Sequence, residues 1–530
     1  MTKPIVHDVE SAFLWPLHFV TAIAALHRNG YIASFLEDLT FSSAFSGICA
    51  PTTSLHMLAQ AIHQLLGITV RLRYLFAVEW YTQSQLELQC LPTPPDHIFT
   101  NIEGFASERS REALGDRKEI PVSELEDIFM NKPDSVVLHA ETSCCLVENC
   151  PGCQLQKSRV HVAGTPCKDF STQNNGRPGL GGKTSKHLFI WMALMKVLLP
   201  LIIICENVVG FPPQLLRTFL PMYALKTVVL ENFNFGHCIQ RVRRYTTLHL
   251  RTVVNLVREL DPIKDILGRV RSPKHVWQQY LVASDAEMRQ EFRWANSRFP
   301  KLVAEPASGA IPFYDVLNHW EKAHLDAGRN LAPGMAMTLS QDPEKRKSWS
   351  RPDTLHTLIA NTHMLWADSH DRWFSAREVL SLQGFPVYPE HLRWLQSSSG
   401  MCSFNFSRPL RGLPPRKRGG MMQQAGDSMH TSVVGSVLLW ISAYTETYVE
   451  PIVREPPPPA ALDAEDPDPN EADVFKAMLD RFAKRGNSQP ALSTVTRKPV
   501  QIVAATPAAP HCAFGDAFAM FSAQKRRRIS

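Results

Sequence analysis

Residues 159–173 read RVHVAGTPCKDFSTQ. Val160 and Val162 give the run a strand-like start, Gly164 ends it, and Pro166-Cys167 makes a tight turn into a polar loop. A thiol so placed is open to four readings: inert core cysteine, metal ligand, redox partner or nucleophile.

The same unit recurs on both sides. Upstream, SSAFSGICA is followed by the helical TTSLHMLAQAIHQLLG, then RLRYLFAVEW and QSQLELQ. Downstream come the helical HLFIWMALMKVLL, the strand-like LIIICENV and YALKTVVLENFNFG. Strands alternating with helices from about residue 10 to 245 predict an α/β domain with a mainly parallel sheet. Val197–Cys205 reads as a buried strand entered through Pro200. In such sheets ligands bind beyond the carboxyl ends of the strands, so the residues that follow each apolar run carry the information.

Residues 246–370 break the rhythm. They are richer in charge and tryptophan (Trp277, Trp294, Trp320, Trp349, Trp366) and read as a smaller inserted domain. Residues 371–450 regain regular helices that complete the first domain, and 1–40 read as an N-terminal helical extension. After about 450 a proline-rich acidic linker predicts a disordered tail. Within it, 471–485 has one apolar helical face, a docking element for a protein partner.

Composition excludes several classes. The run FLWPLHFVTAIAALH (13–27) is too short to span a bilayer and lacks a basic leader, so no membrane partner is expected. Eleven scattered cysteines suit reduced intracellular thiols rather than a disulfide framework. The net charge of +6 permits a polyanionic partner without demanding one. Cys150 and Cys153 have zinc-knuckle spacing, with Cys144 or Cys145 nearby. The usual second pair is missing, so no metal is assigned.

The strand ends carry the chemistry. Glu206-Asn207 emerges directly after five apolar residues, where a carboxyl is costly without a role. Gln240, Arg241, Arg243 and Arg244 follow another strand. A thiol, a desolvated carboxyl and arginines at neighbouring strand ends suit a nucleophile, a proton donor and an anion clamp.

Taken in order, the motifs resemble those of the cytosine-5 DNA methyltransferases. FSGI (45–48) is similar to the family's cofactor loop, VEW (78–80) to its ribose-binding strand end and PCKDFS (166–171) to its catalytic loop. ENV (206–208) is its glutamate motif, and NFGHCIQRVRR (234–244) is similar to its glutamine–arginine motif. REVLSLQGFP (377–386) and QAGDSMHTSVV (424–434) are similar to its two late helix motifs. Seven motifs in order are specific where one alone is weak.

The resemblance implies a Rossmann-like S-adenosylmethionine-dependent methyltransferase fold, with 41–245 catalytic and 246–370 reading the target. It implies that the Cys167 thiolate attacks C6 of a flipped cytosine while Glu206 assists at N3, with Arg241 and Arg243 in the catalytic set. The methyl donor would be held by Phe45, Gly47, Ile48, Glu79, Trp80, Asn101, Pro166, Asp427 and Ser428. The nucleic acid would be held by Pro166, Ser171, Asn207, Val208, Gln240 and Arg244. Duplex DNA is the expected partner, bound mostly through phosphates, with the base turned out of the stack. A free thiol titrates near ~8.5, so the turn is expected to favour the anion.

Departures from the family pattern sharpen the reading. The family's opening acid and second glycine are replaced within Ser43–Ala50, and Asp427 stands where an asparagine is usual. An RNA-directed version of the same chemistry, and a degenerate scaffold that binds nucleic acid or chromatin, are the alternatives. The short run ahead of FSGI leans towards de novo or partner-directed methylation, and KRRR (525–528) towards nuclear import.

Overall fold

The computed structural model describes residues 9–447 apart from 116, 118, 133, 140–145, 148–152, 172–175, 177, 269–274, 299–302, 308, 346–347, 360–363 and 397–417. The expected docking helix at 471–485, the KRRR run, Cys144, Cys145 and Cys150 lie outside the described residues.

Seven strands form the main sheet: β1 (Asp38–Ala44), β2 (Arg71–Val78), β3 (His97–Phe99), β4 (Val160–Gly164), β5 (Ile202–Asn207), β6 (Tyr223–Glu231) and β7 (Val242–Leu250). Their spatial order is β3-β2-β1-β4-β5-β7-β6. Pairing is parallel from β3 to β5, while β7 runs antiparallel to both β5 and β6. The sheet is thus doubly wound and Rossmann-like, with one reversed strand. The order reverses between β1 and β4, the switch point at which such sheets bind ligands.

Burial on both faces explains the apolar runs. All six residues of β5 are buried, as parallel strands covered by helices require. The polar residues of this core are partnered. In β4, His161 Nε2 accepts the Trp191 indole N–H at 3.1 Å, and its Nδ1 lies 2.8 Å from Ser42 Oγ. Because an indole only donates, the neutral ring carries its proton on Nδ1 and donates it to Ser42. Burial drives this histidine down to about 3.

The helix Ser185–Leu198 takes the first two residues of the run 197–205 expected to be strand. Leu199 takes a left-handed conformation (φ 47°) and Pro200 follows, so the helix ends there. Val197 lies on it, 40% exposed, and the strand starts only at Ile202. At the N-terminus Pro16 sits in the first turn of the helix Trp15–Ala24, where its missing N–H costs nothing. The helix Thr431–Tyr444 is buried along its whole length. It packs so closely that a Cβ on Gly435 would lie 2.3 Å from the Trp15 ring.

A second, smaller core gathers Met288, Phe292, Phe313, Leu325, Met337, Trp366 and Trp373, with Ala283, Trp294 and Trp349 against it. The expected boundary at 246 falls inside β7. Residues 254–256 form β8, which pairs with Thr445–Thr447, and Trp277 is fully buried in the main core. The second core therefore opens near Ala283, because the reversed strand and its sequel are still needed to close the main sheet.

One carboxylate joins both crossings between the cores. Glu378 is fully buried and takes Arg372 through two 2.8 Å contacts. It also accepts the backbone N–H groups of Ala283 at 2.7 Å and Ser375 at 2.8 Å. No helix among the described residues is long and apolar enough to cross a membrane.

Candidate active site and donor cavity

The loop after β1 turns sharply. Phe45, Gly47 and Cys49 each have φ near 53°, a region that costs a residue with a Cβ about 1–2 kcal/mol. At Gly47 a Cβ would meet no atom within 4 Å, so this backbone faces open space. Glu79, at the end of β2, braces the turn: its carboxylate accepts Gly47 N–H at 2.7 Å and Tyr81 N–H at 2.8 Å. Burial pushes Glu79 up to about 7; the two N–H groups oppose the rise and the charge of Asp427 adds to it.

A small cavity opens between this loop and the segment Asp427–Met429, walled also by Val162 and Gly164. Of the expected donor residues, Phe45, Gly47, Asp427 and Ser428 line it. Glu79 stands directly behind Gly47. Trp80 is 69% exposed beside Tyr81, free to stack on a planar group. Ile48 is buried in the main core instead. Asn101 uses its side-chain oxygen to cap the turn that follows it, accepting Glu103 N–H at 3.0 Å. Pro166 is not among the wall residues.

Gly164, Met429, Ser43 and Ser46 line the cavity without having been singled out. For Gly164 the signal was legible, a glycine closing a strand just before Pro-Cys. A Cβ there would lie 3.3 Å from Met429 Cε, 3.5 Å from Phe45 O and 3.9 Å from Glu206 Oε2. The cavity and the Glu206 carboxyl thus meet at this glycine.

Cys167 lies in the turn beyond β4, half-buried. Two residues hold that turn. Asn207 is 1% exposed and donates through Nδ2 to Thr165 O (3.2 Å) and Oγ1 (2.8 Å). This corrects its expected contact with substrate: the amide is turned inward and orients the catalytic turn. Asp169 accepts Thr184 N–H at 3.0 Å and Thr184 Oγ–H at 2.7 Å, while its carbonyl accepts Gly179 N–H at 3.0 Å. The turn and the chain entering the helix at Ser185 are thereby tied together. Val208 donates its N–H to Asn207 Oδ1 and packs on the core, and Ser171 is half-buried just beyond the turn.

Because β7 is reversed, its first residues arrive at the edge where β4 and β5 end. Arg243 Nε stands 3.0 Å from Glu206 Oε1, an ion pair whose angle falls short of a hydrogen bond. Arg241 is buried and donates through Nη1 to Gly426 O at 3.0 Å and Leu358 O at 3.3 Å. Burial lowers it to about 10, so it stays cationic at neutral pH. Arg244, expected on substrate, gives its Nη1 to the Phe211 carbonyl instead. Gln240 is exposed; its backbone pairs with Leu355, and its side chain lines a second cleft with Trp349, Arg351 and His356.

The Cys167 thiol is held above its ordinary value, first by burial and then by the charge of Glu206, with Arg243 and Arg241 pulling it down. The expectation that the turn by itself favours the anion is not met, because desolvation outweighs the two arginines.

No protein-family model matches the sequence, nor does any curated protein. Solved structures to which the fold is similar include the Dnmt2 methyltransferase of S. pombe, at 13% identity over 76% of this chain and 97% of that one, with a TM-score of 0.41. Another is a prophage-encoded protein of E. coli assigned as a DNA modification methyltransferase (14%, 77% and 99%, TM-score 0.40). A third is the Entamoeba histolytica methyltransferase EhMeth (13%, 76% and 98%, TM-score 0.37).

Proposed function

We propose that this chain is an S-adenosylmethionine-dependent cytosine-5 methyltransferase acting on DNA. The observation that carries the reading is the meeting at Gly164 of two features. One is a cavity walled by Gly47 and Asp427; the other is the carboxyl of Glu206, whose charge is felt at the Cys167 sulfur.

The residues present fit the donor. Gly47 offers an open backbone face, Trp80 an exposed ring and Glu79 a carboxylate at the strand end, the groups suited to a methionine tail, an adenine and a ribose. When bound, S-adenosylmethionine supplies an electrophilic methyl group.

The remaining steps belong to the chain's own groups. Glu206 hydrogen-bonds N3 of a cytosine turned out of the stack and passes to it the proton that the Cys167 thiol gives up. Arg243 holds that carboxyl in place and, with Arg241, offsets the negative charge that builds as sulfur gives up its proton. Cys167 sulfur then bonds to C6, which makes C5 electron-rich. After C5 is substituted its proton passes to water, the S–C6 bond breaks to restore the aromatic ring, and the N3 proton returns through Glu206 to the released thiolate. Asn207 and Asp169 keep the sulfur on its line of approach.

The test is covalent trapping with labelled S-adenosylmethionine on matched DNA and RNA that carry 5-fluorocytosine, whose C5 cannot release a proton. An adduct on DNA that disappears in Cys167→Ser is expected. An adduct on RNA alone transfers the reading to an RNA substrate. If the donor binds but neither polymer is trapped, the chain is a scaffold.

A further inference from the structure

The donor cavity carries two acids on different elements. Glu79 ends β2 behind Gly47, and Asp427 is the last residue of the helix Arg418–Asp427, on the opposite wall. The Asp427 side chain is exposed and opens into the cleft. A helix carboxyl end adds partial negative charge of its own. There it is partly met, since Arg241 takes Gly426 O and Ser428 takes Gln424 O. The two carboxyls sense one another, for the charge of Asp427 helps to raise Glu79. The cations that face Asp427 are Lys168, next to the catalytic cysteine, and Arg241. Both lie towards the reacting centre rather than the loop at Gly47. An asparagine in this position would line the same space without the charge.

We propose that Asp427 makes this cavity charge-selective, so that it holds a sulfonium donor in preference to the neutral thioether that donor becomes. The proposal rests on the reading of the cavity as the donor site. The two ligands share their adenosine and amino-acid ends, so every contact to those ends cancels in the ratio of affinities. What remains is one methyl group and one positive charge at sulfur. The methyl contribution cancels in turn when the ratio is compared between the native chain and Asp427→Asn, which leaves the charge alone. A carboxylate facing a sulfonium in a cleft whose effective dielectric lies between bulk water and a protein surface shifts that ratio about tenfold. Such a site would shed its product more readily than a neutral one and would be less inhibited by it.

Calorimetric titration of the full chain at low ionic strength tests this, with three ligands: S-adenosylmethionine, S-adenosylhomocysteine and sinefungin, which has an ammonium-bearing carbon in place of the sulfonium. Both cationic ligands are expected to bind the native chain more tightly than the thioether. In Asp427→Asn that preference should shrink about tenfold for both cations, with the thioether's own affinity changed less than about twofold. Asp427→Glu, which keeps the charge, should keep the preference, and a melting curve for each variant checks folding. A preference unchanged in Asp427→Asn overturns the proposal while leaving the donor site standing. If the native chain binds none of the three, the donor-site reading falls and takes the proposal with it.

Discussion

Arg243 and Glu206 form a 3.0 Å ion pair across two strands that run in opposite directions. Glu206 is opposite Tyr245 and Asn207 opposite Arg244 in that register, so Arg243 stands just past the end of β5. A parallel strand in the place of β7 would have delivered its first residues to the far edge of the sheet.

The pair sets the titration of the neighbouring thiol. Arg243 lowers the Cys167 value and Glu206 raises it. In Arg243→Gln the midpoint should therefore rise, and in Glu206→Gln it should fall. Iodoacetamide alkylation of the Cys167 peptide, followed against pH by mass spectrometry, reads the midpoint. Shifts of the same sign in both variants would show that burial alone governs the thiol.

Asp169 acts through position, not contact. A Cβ on Gly182 would lie 2.2 Å from its carboxyl, so no larger residue fits there without moving the group. We expect Asp169→Ala and Gly182→Ala to lower kcat about 10²-fold through misplacement of the sulfur. Donor affinity, measured separately by calorimetry, should stay within about threefold if the damage is confined to the turn.

Stability should fall on the acid side. Burial lowers His56, His161, His391 and His430 to about 3. Between pH 6.5 and 3 the unfolded chain binds protons that these rings refuse, so their contribution is complete above 6.5 and is lost as pH drops. Glu79 and Glu87, raised by burial to about 7 and about 8, act oppositely. Their contribution is complete below about 4.5 and is lost as pH rises to neutrality. Histidines outnumber these acids, so melting temperature should peak near neutrality. In His161→Gln the acid slope should weaken by about one proton, or about 1.4 kcal/mol per pH unit.

The Glu378 clasp should be the costliest position away from the site. Its Arg372 partner is itself largely buried, and removing one member strands the other, at about 3–5 kcal/mol. Glu378→Ala should lower the melting temperature and separate the unfolding of the two cores into distinct calorimetric steps. A single undivided transition would show that other contacts suffice to couple them.

Much of this was legible in the sequence, for identifiable reasons. Parallel strands buried on both faces write themselves as apolar runs such as IIIC, so the main sheet and the residues at its strand ends could be read directly. Strand direction could not. The run VRRYTTLHL looks alike in either direction, and the reversal of β7 placed the arginines and put the opening of the second core near Ala283. Side-chain aim was equally hidden. Asn207 and Arg244 are polar residues at the right places, yet both spend their donors on backbone or neighbouring groups. The second core was visible only as a loss of rhythm, because its packing rests on scattered aromatics rather than on a period.

Gly164 makes the cleft and the Glu206 carboxyl share a party wall no thicker than an α-carbon. Any side chain there would crowd the tip of Met429, which would have to yield by about a few tenths of an ångström, and would come into contact with Phe45 O and Glu206. A single added carbon at this position would thus be felt on both sides of that wall at once.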